Sequence, residues 1–197
     1  MGFAYQNRGE FDLALVYHLR ALNLRQSFPK VDPVLVANSF FGISNAYWGQ
    51  GNLSEALNYA QQALEINESV PTGNDSNIAS SLAILANIYH QFGDDVRALE
   101  LAKRSLVIFE RLTSSTSFGL ISVLNNIGTI QVSAGLFKDA LTTFIRVSEI
   151  CREHLPEDHP KRRAIIDNVQ RITEMQREDI MYSFSHLYTF LPKILLV

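Results

Sequence analysis

Four glycines, Gly9, Gly51, Gly93 and Gly135, recur at a constant spacing of 42 residues, and their neighbours recur with them. Five places after each stands an alanine, Ala14, Ala56, Ala98 and Ala140, followed at once by Leu15, Leu57, Leu99 and Leu141. Nine residues beyond the leucines come Leu24, Ile66, Ile108 and Ile150, and four before the glycines come Tyr5, Tyr47, Tyr89 and, as the exception, Gln131. A fixed period of this length constrains the chain more than its composition does. Each unit is one supersecondary element that cannot bury its apolar face alone, so neighbouring units must stack to make a core.

Between the glycines the apolar residues recur at helical spacing, as in Phe40, Ile43 and Tyr47 before Gly51, and Leu53, Ala56, Leu57, Ala60, Ala63 and Leu64 after it. Each unit therefore predicts two amphipathic helices. The first helices are expected near 1–7, 34–49, 77–91, 118–133 and 160–176, and the second near 11–27, 53–69, 95–112 and 137–154. All six prolines, at 29, 33, 71, 156, 160 and 192, fall in or beside the connections or near the C-terminus, where a missing backbone N–H costs least. Gly51 and its equivalents supply the positive φ that a sharp turn between antiparallel helices requires. Ala56 and its equivalents let the two helices approach closely, so a larger residue there would overpack the pair.

Composition narrows the function classes. With 17 Lys+Arg against 20 Asp+Glu and a net charge of −3, the 197 residues show neither the basic excess of a nucleic-acid binder nor a polybasic run for an anionic membrane. The single cysteine, Cys151, cannot form an internal disulfide, which predicts a reduced, cytoplasmic protein. Residues Met1–Arg8 lead into the charged, amphipathic Glu10–Arg25 rather than an apolar stretch, so no secretory signal is expected.

No set of residues combines nucleophile, base and orienting group. Cys151 follows Ile150 on a second helix and is expected as a small buried hydrophobe rather than a nucleophile. His154 and His159 bracket Glu157 and Asp158, but Pro156 and Pro160 put them in a connecting turn, and a solvated turn is the plainer reading than a metal cluster. His18 takes the position of Ala60, Ala102 and Phe144 and is expected to be packed or partly exposed on its helix. No HExxH, GxxxxGK[ST] or GxGxxG pattern occurs. Neither catalysis, nor a metal, nor a cofactor is expected.

The order aromatic, Gly, Ala-Leu, Ala-Leu, as in "NAYWGQGNLSEALNYAQQALEI" (45–66), resembles the tetratricopeptide repeat. The period exceeds the usual 34 residues; together with "VLNNIG" (123–128) and "LPEDHP" (155–160) it is similar to the longer repeats of the kinesin light chain and nephrocystin-like group. The resemblance covers about residues 1–178: a partial first repeat, three full repeats near 34–159 and a degenerate last helix. Departures are local, with Asp95 where Phe11, Leu53 and Phe137 stand, Gln131 for tyrosine, and Arg177 in place of a fifth glycine. Residues 179–197 are rich in apolar side chains but carry Pro192 and Lys193; a capping helix or a tail fits them better than a membrane span.

That resemblance implies an all-α, right-handed superhelical solenoid of antiparallel helix hairpins, with a concave groove lined by the first helices. Family groove positions lie thirteen, ten, six, three and two places before the glycine. Carried onto this chain they give Asn38, Phe41, Asn45, Trp48 and Gly49 in the second unit, Ser80, Ala83, Asn87, His90 and Gln91 in the third, and Ser122, Asn125, Thr129, Val132 and Ser133 in the fourth. Asn45 and Asn87, one period apart, could pair with the backbone of an extended peptide, or merely bond neighbouring helices. Trp48 and Phe41 could be aromatic anchors or core. These positions lack the Lys and Arg of a carboxylate clamp. The function expected is a non-catalytic protein-interaction scaffold, adaptor-like by resemblance to kinesin light chain. The alternatives are a targeting segment of a larger enzyme, or self-association through the ends of the array.

Overall fold

Each repeat glycine closes a helix in the same way. Gly9, Gly51, Gly93 and Gly135 have φ of 76°, 81°, 82° and 73°, and each donates its N–H to the carbonyl three residues back, Gln6, Trp48, His90 and Val132, at 2.9–3.1 Å. The following residue reaches one carbonyl further back: Glu10, Asn52, Asp94 and Leu136 donate to the carbonyls of Tyr5, Tyr47, Tyr89 and Gln131 at 2.8–3.0 Å. These paired bonds satisfy carbonyls that a helix end otherwise leaves open and reverse the chain. No non-glycine residue has a positive φ among those described.

The computed structural model describes residues 1–71, 73–112 and 117–190, with the side chains of Ser117, Lys161 and 178–190 outside that description. Its regular structure is all α-helical: α1 Gly2–Gln6, α2 Phe11–Gln26, α3 Pro33–Gly49, α4 Leu53–Ser69, α5 Asp75–Gln91, α6 Asp95–Arg111, α7 Ser117–Ser133, α8 Phe137–His154 and α9 Pro160–Phe190. The helices expected from the periodicity are all present. The one large difference is the end of α9, which continues past 176 to Phe190. At position 177 the repeat offers arginine instead of glycine, so nothing favours the left-handed turn that ends the earlier first helices. Of the apolar C-terminal stretch, residues 191–197 lie outside the description.

Two compact units divide within α7, residues 1–126 and 127–197. In the first, α1 pairs with α2, α3 with α4 and α5 with α6, while α3 also packs on α2 and α5 on α4. Small residues sit where helices cross: Ala14, Ala56, Ala60, Ala63, Ala79, Ala98 and Ala102 are all fully buried. Around Ala56 and Ala60 pack Ile84, Leu85 and Ile88, with Phe41, Tyr47 and Trp48 covering them. A second cluster joins Ala79, Phe109 and Val123. Each large apolar side chain so buried contributes about 1.5–3 kcal/mol. In the second unit α8 packs on α9, with Val147, Cys151, Leu155, Ile165 and Ile172 buried.

Polar residues also occupy repeat positions in the core. Arg25 Nη1 donates to Ser39 Oγ at 2.6 Å; one period on, Asn67 Nδ2 donates to Ser81 Oγ at 3.3 Å; a further period on, the same two places hold Phe109 and Val123 in apolar contact. Asp95, the acid at a position otherwise apolar, is answered by His90, whose Nδ1 lies 2.6 Å from its carboxylate.

Candidate functional site

Because α3, α5 and the first half of α7 occupy equivalent places in successive repeats, they present equivalent side chains side by side. A cleft of about 190 Å³ in the first unit is lined by Phe41 and Asn45 of α3, Ser80, Ala83, Ile84 and Asn87 of α5, Phe109 of α6, and Gly119, Ser122, Val123 and Asn126 of α7. Phe41 and Ala83, Asn45 and Asn87, Ser80 and Ser122, and Ile84 and Asn126 are each 42 residues apart, so the cleft is made of repeat positions meeting their own successors. None of its lining residues is charged. Phe109 reaches it because residue 119 is glycine: a Cβ there would come within 2.6 Å of the Phe109 ring.

A larger cleft of about 620 Å³, sharing Phe41 and Ser80, adjoins it on the side of α2. Asn38, Asn67, Asn77 and Ser81 line it together with Gly2, Phe3, Tyr17, His18, Arg20, Leu24 and Arg25. Arg25 is held by two bonds from Nη1, to Leu35 O and Ser39 Oγ, both 2.6 Å. His18 lies edge-on to Phe3 at 4.7 Å between ring centroids, in a slot that only glycines leave open, since a Cβ at Gly2 or Gly42 would come within 2.5 or 2.3 Å of the imidazole. Burial, with the Met1 ammonium and Arg25 adding to it, pushes its pKa down to about 4. Its Nε2 has no hydrogen-bond partner.

The residues anticipated for the groove separate on this geometry. Phe41, Asn45, Ser80, Asn87 and Ser122 line the smaller cleft, and Asn38, Phe41 and Ser80 the larger. Asn45 spends one N–H on Phe41 O at 3.0 Å, keeping its carbonyl oxygen, whereas the Asn87 carboxamide has no protein partner among the described residues. Trp48 lines neither cleft; it packs against the buried Ala56 and Ile88 cluster, with Nε1 buried and unbonded. His90 is engaged with Asp95, and Gln91 and Asn125 line neither cleft. Thr129 belongs to the second unit. In the smaller cleft, sequence reasoning missed Ile84, Phe109, Gly119, Val123 and Asn126. The signal for Phe109 was its equivalence with Arg25 and Asn67, which shows only when second-helix residues are aligned across the repeats.

Among the described residues no helix is long and apolar enough to cross a membrane, and no cluster of three His, Cys, Asp or Glu could hold a metal ion.

No curated protein matches the sequence significantly. Solved structures do. The Podosopora anserina putative kinesin light chain nearly identical TPR-like repeats are 18% identical over 100% of this chain and 94% of that one, with a TM-score of 0.68. BtubC (BKLC) from P. vanneervenii is 23% identical over 89% of this chain and 78% of that one, also at 0.68. A Rap protein complexed with Competence and Sporulation Factor is 18% identical over 94% of this chain and 50% of that one, at 0.75. These likenesses concern the fold. The family model for the tetratricopeptide repeat matches residues 1–69 and 77–153, most of the sequence, and with four identically capped hairpin turns at a constant period the chain belongs to the tetratricopeptide repeat family.

Proposed function

We propose that this chain is a non-catalytic scaffold that holds a peptide segment of a partner protein in the groove formed by α3, α5 and the start of α7. The family's fold serves generally as a platform for protein interactions. The observation that carries the reading is the uncharged cleft in which Asn45 and Asn87 stand one repeat apart. A carboxamide offers both a donor and an acceptor, so a pair at repeat spacing suits a peptide backbone whatever its side chains. Phe41 and Ile84 supply apolar contact beside them. The Rap structure, in which a protein of this fold holds a bound factor, agrees with such use. By likeness to kinesin light chain repeats we infer an adaptor role, and the lone, buried Cys151 suits the reducing cytoplasm.

The test is selection of random ten-residue displayed peptides on the purified chain, followed by anisotropy titration of the winners against Asn87→Ala and Asn45→Ala. The reading expects saturable binding that falls at least tenfold in Asn87→Ala and less in Asn45→Ala, whose amide is already spent on its own helix. Winners that bind both variants as tightly as the parent overturn it.

A further inference from the structure

The two clefts are one subsite repeated. Asn38, Phe41, Asn67, Asn77, Ser80 and Ser81 line the larger; moved on by one period they become Ser80, Ala83, Phe109, Gly119, Ser122 and Val123, and all six line the smaller. The rims keep their character, serine or asparagine beside phenylalanine or alanine. The floors do not.

Below the first subsite runs a chain of hydrogen bonds. Asn67 Nδ2 donates to Ser81 Oγ at 3.3 Å, Asn74 Nδ2 donates to Asn67 Oδ1 at 2.9 Å, and Asn77 Nδ2 donates to Asn74 Oδ1 at 2.6 Å. The chain ends on Asn77, whose carbonyl oxygen has no partner among the described residues and which itself lines the cleft. In the second subsite Phe109 and Val123 pack together as an apolar floor, and Gly119 replaces Asn77 so that the ring lines the cleft. An amide or hydroxyl side chain finds an acceptor on the floor of the first, whereas the floor of the second offers it only ring and methyl, and a polar group seated on those loses water without compensation. An aliphatic side chain gains in the second and would cover the Asn77 oxygen in the first.

We propose that the groove recognises a segment in two steps of opposite polarity, an amide or hydroxyl side chain against Asn77 and, one repeat along, an aliphatic side chain against Phe109 and Val123. This deepens the peptide-scaffold reading and rests on it. Packed helices lie about 8–10 Å apart, and a polyproline-type extended chain with three residues per turn and about 3.1 Å per residue returns to the same face after about 9 Å. Side chains three residues apart therefore match the two subsites.

The experiment uses the full chain and fluorescein-labelled, end-blocked ten-residue peptides of common background carrying Asn-x-x-Leu, Leu-x-x-Asn, Leu-x-x-Leu, Asn-x-x-Asn, Asp-x-x-Leu or Leu-x-x-Asp. One of the two Asn/Leu orders is expected to bind at least tenfold tighter than the other five peptides, the favoured order giving the direction of the bound segment. Asn77→Ala removes the preference for Asn over Leu at its place, and Phe109→Leu, which keeps the core apolar, shifts the second preference from Leu toward Phe. Equal binding of Leu-x-x-Leu, or tighter binding of an Asp peptide, overturns the two-step rule and leaves the scaffold reading intact. Failure of all six, while library-selected peptides bind in an Asn87-dependent way, also overturns only the rule; failure of both sets overturns the two together.

Discussion

Thr143 Oγ1 donates a hydrogen bond to Gln131 Oε1 at 2.8 Å, in the place where the first two repeats stack tyrosines. Tyr5 lies on Tyr17 with ring centroids 5.2 Å apart and planes 10° from parallel, and Tyr47 lies on Tyr59 at 5.8 Å and 12°. All three pairs join a first helix to the second helix of the same hairpin, and each is 42 residues or a multiple from the others. The exception to the tyrosine pattern is therefore a paired exchange, in which both partners changed and the contact between the helices survived as a polar one.

That pairing makes a double-mutant cycle informative. Gln131 is 9% exposed, so removing either partner strands a largely buried polar group. Gln131→Ala and Thr143→Val are each expected to cost about 1 kcal/mol, and the double variant less than their sum by roughly 0.5–1 kcal/mol. Urea denaturation of the four proteins measures it; strict additivity would mean the bond contributes nothing.

A second paired exchange links Phe144 to Gly128. A Cβ at Gly128 would come within 2.6 Å of the Phe144 ring, just as His18, the equivalent of Phe144, lies against Gly2, the equivalent of Gly128. In the two middle repeats the residue is alanine and the glycine is replaced by Ser44 or Ala86. Gly128→Ala gains about 1 kcal/mol of helix propensity but overpacks a ring that is 1% exposed, at about 1–3 kcal/mol. Net destabilisation is expected, and Phe144→Leu introduced with it should recover part of the loss in thermal melts.

The period, the helix pairs and the turn chemistry were legible in the sequence because they depend on local rules: glycine for the left-handed turn, alanine for close crossings, apolar spacing for faces. That Asn45, Asn87, Ser80 and Ser122 line one cleft was legible because their position relative to the glycine fixes their face of the helix. What escaped is what depends on a second element. Trp48 shares the face rule but packs against the buried cluster that Ala56 and Ala60 form with residues of the next hairpin's α5, and His90 is drawn to Asp95 across the turn. Phe109 reaches the cleft only because Gly119, on another helix, leaves room. The extension of α9 follows from a missing glycine, and no local signal in the sequence sets its length.

Gly93 isolates the backbone term of the repeat turns. Its φ is +82° and no atom lies within 4 Å of where a Cβ would stand, so replacement meets no steric neighbour and acts through conformation alone. Gly93→Ala is expected to destabilise the chain by about 1–2 kcal/mol, a lowering of Tm by several degrees. Gly93→Asn, whose side chain tolerates the left-handed region better, should lose less; equal losses would place the cost outside the backbone conformation.

The buried imidazole of His18 gives folding a pH dependence whose sign is fixed. Its pKa falls from 6.5 to about 4 in the folded chain, chiefly through burial, with the Met1 ammonium and Arg25 acting in the same direction. Above pH 6.5 folded and unfolded chains both hold the ring neutral and the stability is complete. Between pH 6.5 and 4 the unfolded chain takes up a proton that the folded chain refuses, so stability falls as the pH falls, by at most about 3 kcal/mol from this group, and levels off below 4. His18→Phe copies Phe144, removes the unbonded Nε2, and keeps an aromatic ring between Gly2 and Gly42. It is expected to match or exceed the parent in stability at about pH 7, by about 1 kcal/mol, and to flatten this part of the profile. Urea midpoints from about pH 7 to about pH 4 check both, and a slope that persists unchanged in His18→Phe would assign the titration to other groups.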